Sequence, residues 1–293
     1  MKISIIIVTY NSQSLISDCL QSILDYADIS LDEIEIIVVD NSSGENAEEL
    51  KSRVENHSVS KKINTNYIHN TANLGYGQGN NIGILNSTGD IVCIMNPDVR
   101  FGSSILQDVL LKFENNKKLA ILGYKQLGGF NYSFYPKPEY RTMFSDFWAK
   151  FYNKIDVFNS KKHYLSGAFF FIDKKKFKEV GNFDENIFMY YEEPDIANRL
   201  QQKGYTIIYD KSKIYYHLVG YRVEWSEVTF TREKNSLVYY LDKFKFNKRT
   251  HFRKLIREIK IKKIIINLLG DNIRKHKFEQ EIKVLTENYL KKI

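Results

Sequence analysis

Glu192-Glu193-Pro194-Asp195 places three carboxylates within four positions, behind Phe188-Met189-Tyr190-Tyr191 and ahead of Arg199. With Phe183-Asp184-Glu185 just upstream, this is an acidic motif set among aromatic rings. Aromatic walls lower the local dielectric and raise a carboxylate's pKa, which suits it to general-base work. The same acids at a helix start also complement the helix dipole, so a purely structural role stays open. A second candidate is Asn96-Pro97-Asp98, directly after the apolar run Ile91–Met95. Pro97 turns the chain out, and Asp98 offers a hard oxygen ligand for Mg²⁺ or Mn²⁺. One carboxylate makes a weak metal site, but His217, after the strand-like residues 214–216, is available as a second donor or as a structural histidine. Asp40 ends another apolar run and is followed by Asn41-Ser42-Ser43. It suits either turn capping or accepting hydrogen bonds from a base or ribose. Thr9-Tyr10-Asn11 forms a third polar cluster of this kind.

These clusters need elements to position them. Residues 3–8 and 34–39 are continuous apolar, β-branched runs, as expected of strands covered on both faces. Between them Leu15, Ile16, Cys19, Leu20, Ile23 and Leu24 recur at helical spacing. Further strands are expected at 66–69, Ile91–Met95, 164–172 and 205–209, with a helix over 193–203 stopped by Gly204. Strands alternating with helices predict an α/β fold with a mostly parallel central sheet, whose ligands sit beyond the strands' carboxyl ends. Thr9–Asn11, Asp40–Ser43 and Asn96–Asp98 all fall there. Gly75, Gly77 and Gly79 precede Asn80, so a dinucleotide fingerprint is absent, as is a phosphate-binding loop. They permit a tight turn. With Asn73, Asn80 and Asn81 they also suit a polar backbone surface approached by a ligand.

Composition narrows the classes. The chain has 293 residues, 43% of them hydrophobic, enough to bury a core and inconsistent with disorder. Net charge is +8, unevenly placed: residues 242–293 hold 16 basic and 6 acidic side chains, against 27 and 29 in residues 1–241. Two cysteines, Cys19 and Cys93, give neither a disulfide framework nor a zinc spacing. With no apolar stretch of about 18 residues and no signal-peptide pattern, a cytoplasmic protein is expected.

The ordered set of motifs resembles the family 2 glycosyltransferases, nearest their bacterial rhamnosyltransferase-like branch, over about residues 3–220. It comprises Ile5-Ile6-Ile7-Val8-Thr9-Tyr10-Asn11, Val38-Val39-Asp40-Asn41-Ser42-Ser43, Asn73-Leu74-Gly75 with Asn80-Asn81-Ile82-Gly83, and Asn96-Pro97-Asp98. Ser166-Gly167-Ala168, the acidic motif and His217 continue it. The resemblance implies a GT-A (Rossmann-like) fold, a nucleotide-diphosphate sugar donor such as a UDP- or TDP-sugar, a divalent metal, and inversion at the anomeric carbon. It implies that Thr9, Asn11 and Asp40 line the nucleoside pocket and that Asn73, Gly75 and Asn80 lie against ribose and phosphates. Asp98 would bind the metal, with His217 as second ligand or phosphate contact. Glu193 would be the base, and Glu192 or Asp195 would orient the acceptor or the motif's own helix. Two departures stand out: Asn96 replaces the first acid of the family's Asp-x-Asp, and Glu193 replaces its usual Asp.

Residues 1–225 are thus expected to form the catalytic domain and 226–293 a basic helical region. The aromatic residues of 130–158 could stack sugar rings, close over the donor, or fill a core. The mixed Lys/Arg and Ile/Leu/Phe content of the tail suits a helix lying peripherally on the inner membrane face, where a lipid-linked saccharide acceptor in surface-polysaccharide synthesis would be met. It equally suits packing on the catalytic domain or on a second subunit of a homo-oligomer. No nucleic-acid-binding motif accompanies the charge. The rivals to a transferase are an inert glycan- or membrane-binding subunit and a sugar nucleotidyltransferase.

Overall fold

A computed structural model describes residues 1–73, 75–129, 132–218 and 225–291. Leu74 of the Asn73-Leu74-Gly75 motif and Phe130 of the aromatic stretch lie outside the described residues. The strands are β1 (Ile3–Thr9), β2 (Ile34–Asp40), β3 (Asn64–His69), β4 (Ile91–Met95), β5 (Val99–Phe101), β6 (Leu119–Leu127), β7 (Phe134–Pro136), β8 (His163–Leu165), β9 (Phe169–Asp173) and β10 (Thr206–His217). The α-helices are α1 (Gln13–Asp25), α2 (Glu45–Glu55), α3 (Tyr76–Asn86), α4 (Leu106–Asn115), α5 (Ser145–Lys154), α6 (Lys174–Glu179), α7 (Glu192–Gln202), α8 (Glu227–Lys243), α9 (Lys248–Leu268) and α10 (Asn272–Val284).

Eight strands form one sheet in the order β3-β2-β1-β4-β9-β6-β10-β5. β1, β2, β3 and β4 pair in parallel, as do β6 and β10, while β9 runs antiparallel between β4 and β6 and β5 antiparallel to β10. The sheet is therefore mostly parallel, as expected. Side chains on β1 alternate between two cores: Ile3, Ile5 and Ile7 join one face and Ile6 the other. Full burial of such a side chain contributes roughly 1.5–3 kcal/mol, so the unbroken apolar run anchors both layers.

The expected strand over 164–172 is two strands. β8 pairs with β7 in a separate small ribbon, and β9 joins the main sheet, the chain turning at Ser166-Gly167-Ala168. The expected strands at 205–209 and 214–216 are one, β10, bulged between Asp210 and Ile214. The aromatic stretch holds β7, a 3₁₀ turn at Pro138–Tyr140 and α5.

Ser226 caps α8 through a capping box with Thr229. The following helices share a core of their own, including Phe230, Leu237, Phe252, Leu255 and Tyr289. Polar contacts fix that unit to the sheet domain. Lys243 pairs with Asp184 at 2.6 Å and Asp195 at 2.5 Å, and Tyr240 donates to Glu139 at 2.7 Å. The basic tail is thus packed against the domain that precedes it.

Candidate active site

Topology brings the polar clusters to one edge. The carboxyl ends of β1, β2, β3, β4, β6 and β10 all face it, and antiparallel β9 presents its amino end there. Asn96 N–H accordingly donates to the Ala168 carbonyl at 2.9 Å. A cleft of about 570 Å³ opens beside this junction, lined in part by Tyr76, Asn96, Tyr164, Gly167, Glu192, Glu193 and His217.

Glu193 sits in the first turn of α7, whose entry is strained. Tyr190 and Tyr191 have φ of 70° and 72°, a left-handed conformation costing about 1–3 kcal/mol per non-glycine residue. Packing holds it: Tyr191 donates to Glu233 at 2.8 Å, and Tyr76 N–H bonds the Phe188 carbonyl at 3.2 Å. Only a glycine at position 75 permits that approach. Its φ is 102°, and a Cβ there would lie 2.0 Å from the Phe188 oxygen. Asp195 is fully buried, receives Arg199 Nε at 2.9 Å and pairs with Lys243. Arg199 in turn donates to the Val180 and Asn182 carbonyls. Asp195 therefore ties α7 to its surroundings and is not presented to the cleft.

Glu193 faces the cleft, half-buried, and forms no ion pair among the described residues. Burial raises its pKa, opposed by the backbone N–H groups of Glu193 and Gly167. Its carboxylate presses so closely on Gly167 that a Cβ there would meet Oε1 at 2.2 Å. Glu192 is buried, its Oε1 has no hydrogen-bond partner, and burial followed by the charge of Glu193 pushes its pKa well up. The Tyr76 hydroxyl, donating to the Gly167 carbonyl at 2.6 Å, completes this corner.

Asp98 and His217 meet where β4 leads through Asn96-Pro97-Asp98 into β5, which pairs with β10. Asp98 Oδ2 lies 3.2 Å from His217 Nε2, and Leu218 N–H bonds the Asp98 carbonyl at 2.9 Å. Arg100 fixes the turn by donating to the Pro97, Val99 and Leu15 carbonyls. A carboxylate oxygen and an imidazole nitrogen at this spacing fit a shared divalent cation. No cluster of three or more candidate ligands occurs among the described residues, so the protein would supply two donors.

The expected nucleoside-site residues line the same edge further along and take no part in this cleft. Asp40 is fully buried, accepting from Thr9 at 3.1 Å, Ser42 N–H at 2.9 Å and Tyr67 at 2.7 Å. Thr9 is buried with it. The pair braces the turn at Ser42, the capping role the sequence left open for Asp40, because a strand-end carboxylate between two parallel strands finds protein donors on three sides. Asn11 is exposed, receiving Asn46 at 3.0 Å and donating its N–H to Ser42 Oγ at 2.7 Å. Asn73 is exposed and accepts from Gly75 N–H at 3.2 Å. Asn80 points inward, donating to the Tyr76 carbonyl at 2.9 Å, with its Oδ1 unpartnered.

Sequence reasoning missed the far wall of the cleft: Arg141, Lys234, His251 and Leu255. Arg141 lies near Glu258 at 3.7 Å and Asp146 at 3.8 Å, and burial holds the His251 pKa down at about 4. Lone charges in an aromatic stretch and a basic tail gave no signal that they would converge.

A family model described as glycosyl transferase family 2 matches residues 4–181. The low-salt glycan biosynthesis hexosyltransferase Agl10 of Haloferax volcanii is 27% identical over 217 residues, 70% of this chain and 63% of that protein. This chain thus spans less than two thirds of that relative. Among solved structures, the Pyrobaculum calidifontis mannosyltransferase PcManGT, in complex with GDP-Man and Mn²⁺, superposes with a TM-score of 0.60 at 19% identity. That match covers 87% of this chain and 64% of that one. S. aureus TarS 1–349 in complex with UDP gives 0.55 at 16% identity, covering 98% and 92%. These likenesses establish the GT-A fold. Because the family's pattern runs from β1 past the end of α6, this chain belongs to glycosyl transferase family 2.

Proposed function

We propose that the protein is an inverting glycosyltransferase, moving a hexosyl or rhamnosyl unit from a UDP- or TDP-sugar to a lipid-linked saccharide during surface-glycan assembly. The observation that carries this reading is the Glu193 carboxylate: half-buried, raised in pKa, without an ion pair among the described residues, and in one cleft with His217, the partner of Asp98.

An acceptor hydroxyl is a poor nucleophile at neutral pH. Glu193 takes its proton as the oxygen attacks the anomeric carbon from the side opposite the leaving diphosphate, a contribution typically of ~10²–10⁴ in rate. A raised pKa makes the carboxylate a stronger base while leaving it ionised once the pH exceeds that value. Glu192, whose pKa burial and its neighbour's charge push well up, stands beside the base where it can orient the acceptor. Asp98 and His217 would hold Mg²⁺ or Mn²⁺, which when bound neutralises charge on the departing diphosphate. The rings of Tyr76, Tyr164 and Tyr190 give the cleft an apolar wall that keeps water from the donor. The structural neighbours PcManGT and TarS 1–349 are solved with GDP-Man and with UDP, which supports a nucleotide-sugar donor here.

The test is a panel of UDP- and TDP-sugars with Mn²⁺, read by nucleoside diphosphate release with and without saccharide acceptors. Glu193→Gln should lower transfer at least ~10²-fold while donor binding, read by thermal shift, persists. Near-normal transfer by that variant removes Glu193 as the base. Pyrophosphate-dependent turnover would instead identify a nucleotidyltransferase.

A further inference from the structure

Helix α5 exposes the face a soluble helix ordinarily buries. Phe144, Phe147, Trp148, Phe151 and Ile155 follow one another at helical spacing along one side, each between 42% and 61% exposed. Its opposite side, through Ser145 and Ala149, packs toward the cleft. An exposed stripe of this size demands an occupant.

Charge identifies the occupant. Met143, at the head of the stripe, shares a pocket of about 230 Å³ with Lys254 and Arg257 of α9. Those two, with Arg249, Arg253 and Lys260, are exposed and form no ion pair among the described residues. Lys150 and Lys154 of α5 are likewise exposed and unpaired. Lys262 joins the two helices by pairing with Asp146 at 2.7 Å. One and two turns beyond it, α9 exposes Ile265, Leu268 and Leu269. Apolar rings and branched side chains beside uncompensated cations match lipid tails beneath anionic headgroups, and tryptophan favours that boundary. No helix among the described residues is long and apolar enough to cross a membrane, so attachment would be at the surface.

We propose that the aromatic stripe of α5 and the unpaired cations of α9 dock this protein on an anionic lipid bilayer. This deepens the transferase reading and rests on it for its purpose. α5 and α9 both wall the cleft, through Ala149 and Leu255, so docking would hold the acceptor's lipid anchor beside the site where its sugar reacts.

Co-sedimentation with vesicles of equal parts phosphatidylglycerol and phosphatidylcholine, against phosphatidylcholine alone, tests this on the full chain. The protein should bind the anionic vesicles and release at high salt. Phe147→Ser with Phe151→Ser should lower binding at least ~10-fold. Lys254→Ala with Arg257→Ala should lower it roughly fivefold per charge. Trp148 emission, followed in a Trp225→Phe background, should shift blue on binding. Melting curves and donor turnover of the α5 variant should match the parent, separating lost docking from lost folding. No binding to anionic vesicles, or binding unchanged by the α5 substitutions, overturns the proposal. So does a shift from dimer to monomer in the α5 variant without vesicle binding by the parent, which assigns the stripe to a second copy. Vesicle binding needs no sugar donor, so a chain that binds but never releases nucleoside diphosphate contradicts only the transferase reading.

Discussion

Replacing Gly167 with alanine moves one reacting group and little else. Its φ is not in the left-handed region, so alanine fits the backbone, yet its Cβ would lie 2.2 Å from Glu193 Oε1, 3.0 Å from Cδ and 3.2 Å from Cγ. Ordinary contact begins near 3.4 Å, so the carboxylate must retreat by about 1 Å. It is the end of a flexible side chain beside an open cleft, and this retreat costs the fold little. A misplacement of about 1 Å in a catalytic group costs on the order of 10²-fold, or about 2.7 kcal/mol of activation free energy. Gly167→Ala should therefore lower the rate of acceptor-dependent nucleoside diphosphate release about 10²-fold, with its melting temperature and donor affinity near those of the parent. Parental turnover in a folded Gly167→Ala protein would refute the placement of the base, because no other position relieves the contact without moving that carboxylate.

Two further outcomes follow from the same cleft. Asp98→Ala should abolish the part of donor-induced thermal stabilisation that depends on Mn²⁺, leaving any metal-independent part; an unchanged Mn²⁺ response would exclude Asp98 as a ligand. Glu192 has a folded pKa well above its ordinary 4.5, so the unfolded chain releases this proton first as pH rises. Stability from its protonated form is full below that value and is lost as pH climbs toward the folded pKa. Glu192→Gln should accordingly flatten the decline in urea midpoint as the pH rises above 4.5, and a slope equal to the parent's would contradict the assignment.

How far the sequence reaches can be judged residue by residue. The β-branched runs of β1, β2 and β4 specify buried parallel strands unaided, because only burial on both faces tolerates them. Placing polar clusters at their carboxyl ends then follows from the topology of open sheets. The family resemblance grouped Asp98, His217 and Glu193; the structure puts Glu193 and His217 in one cleft and Asp98 beside His217, although 95 residues separate Asp98 from Glu193. Asp40 shows the limit. A strand-end aspartate looks the same in sequence whatever it meets, and only the structure shows it accepting from Thr9, Ser42 and Tyr67.

Local pattern determined strands β1, β2 and β4, the acidic helix start and the basic tail, since each depends on neighbours a few residues away. Tertiary structure alone decided what those parts face. Only the turn at Ser166-Gly167-Ala168 splits an apparently continuous strand and opens room for Glu193, and only the bonds from Tyr191 to Glu233 and from Tyr76 N–H to Phe188 sustain two left-handed tyrosines ahead of it. The outward aromatic face of α5 is the same kind of fact. Its helical spacing was present in the sequence, but spacing fixes a stripe and not its direction; that depends on which side the rest of the chain leaves uncovered.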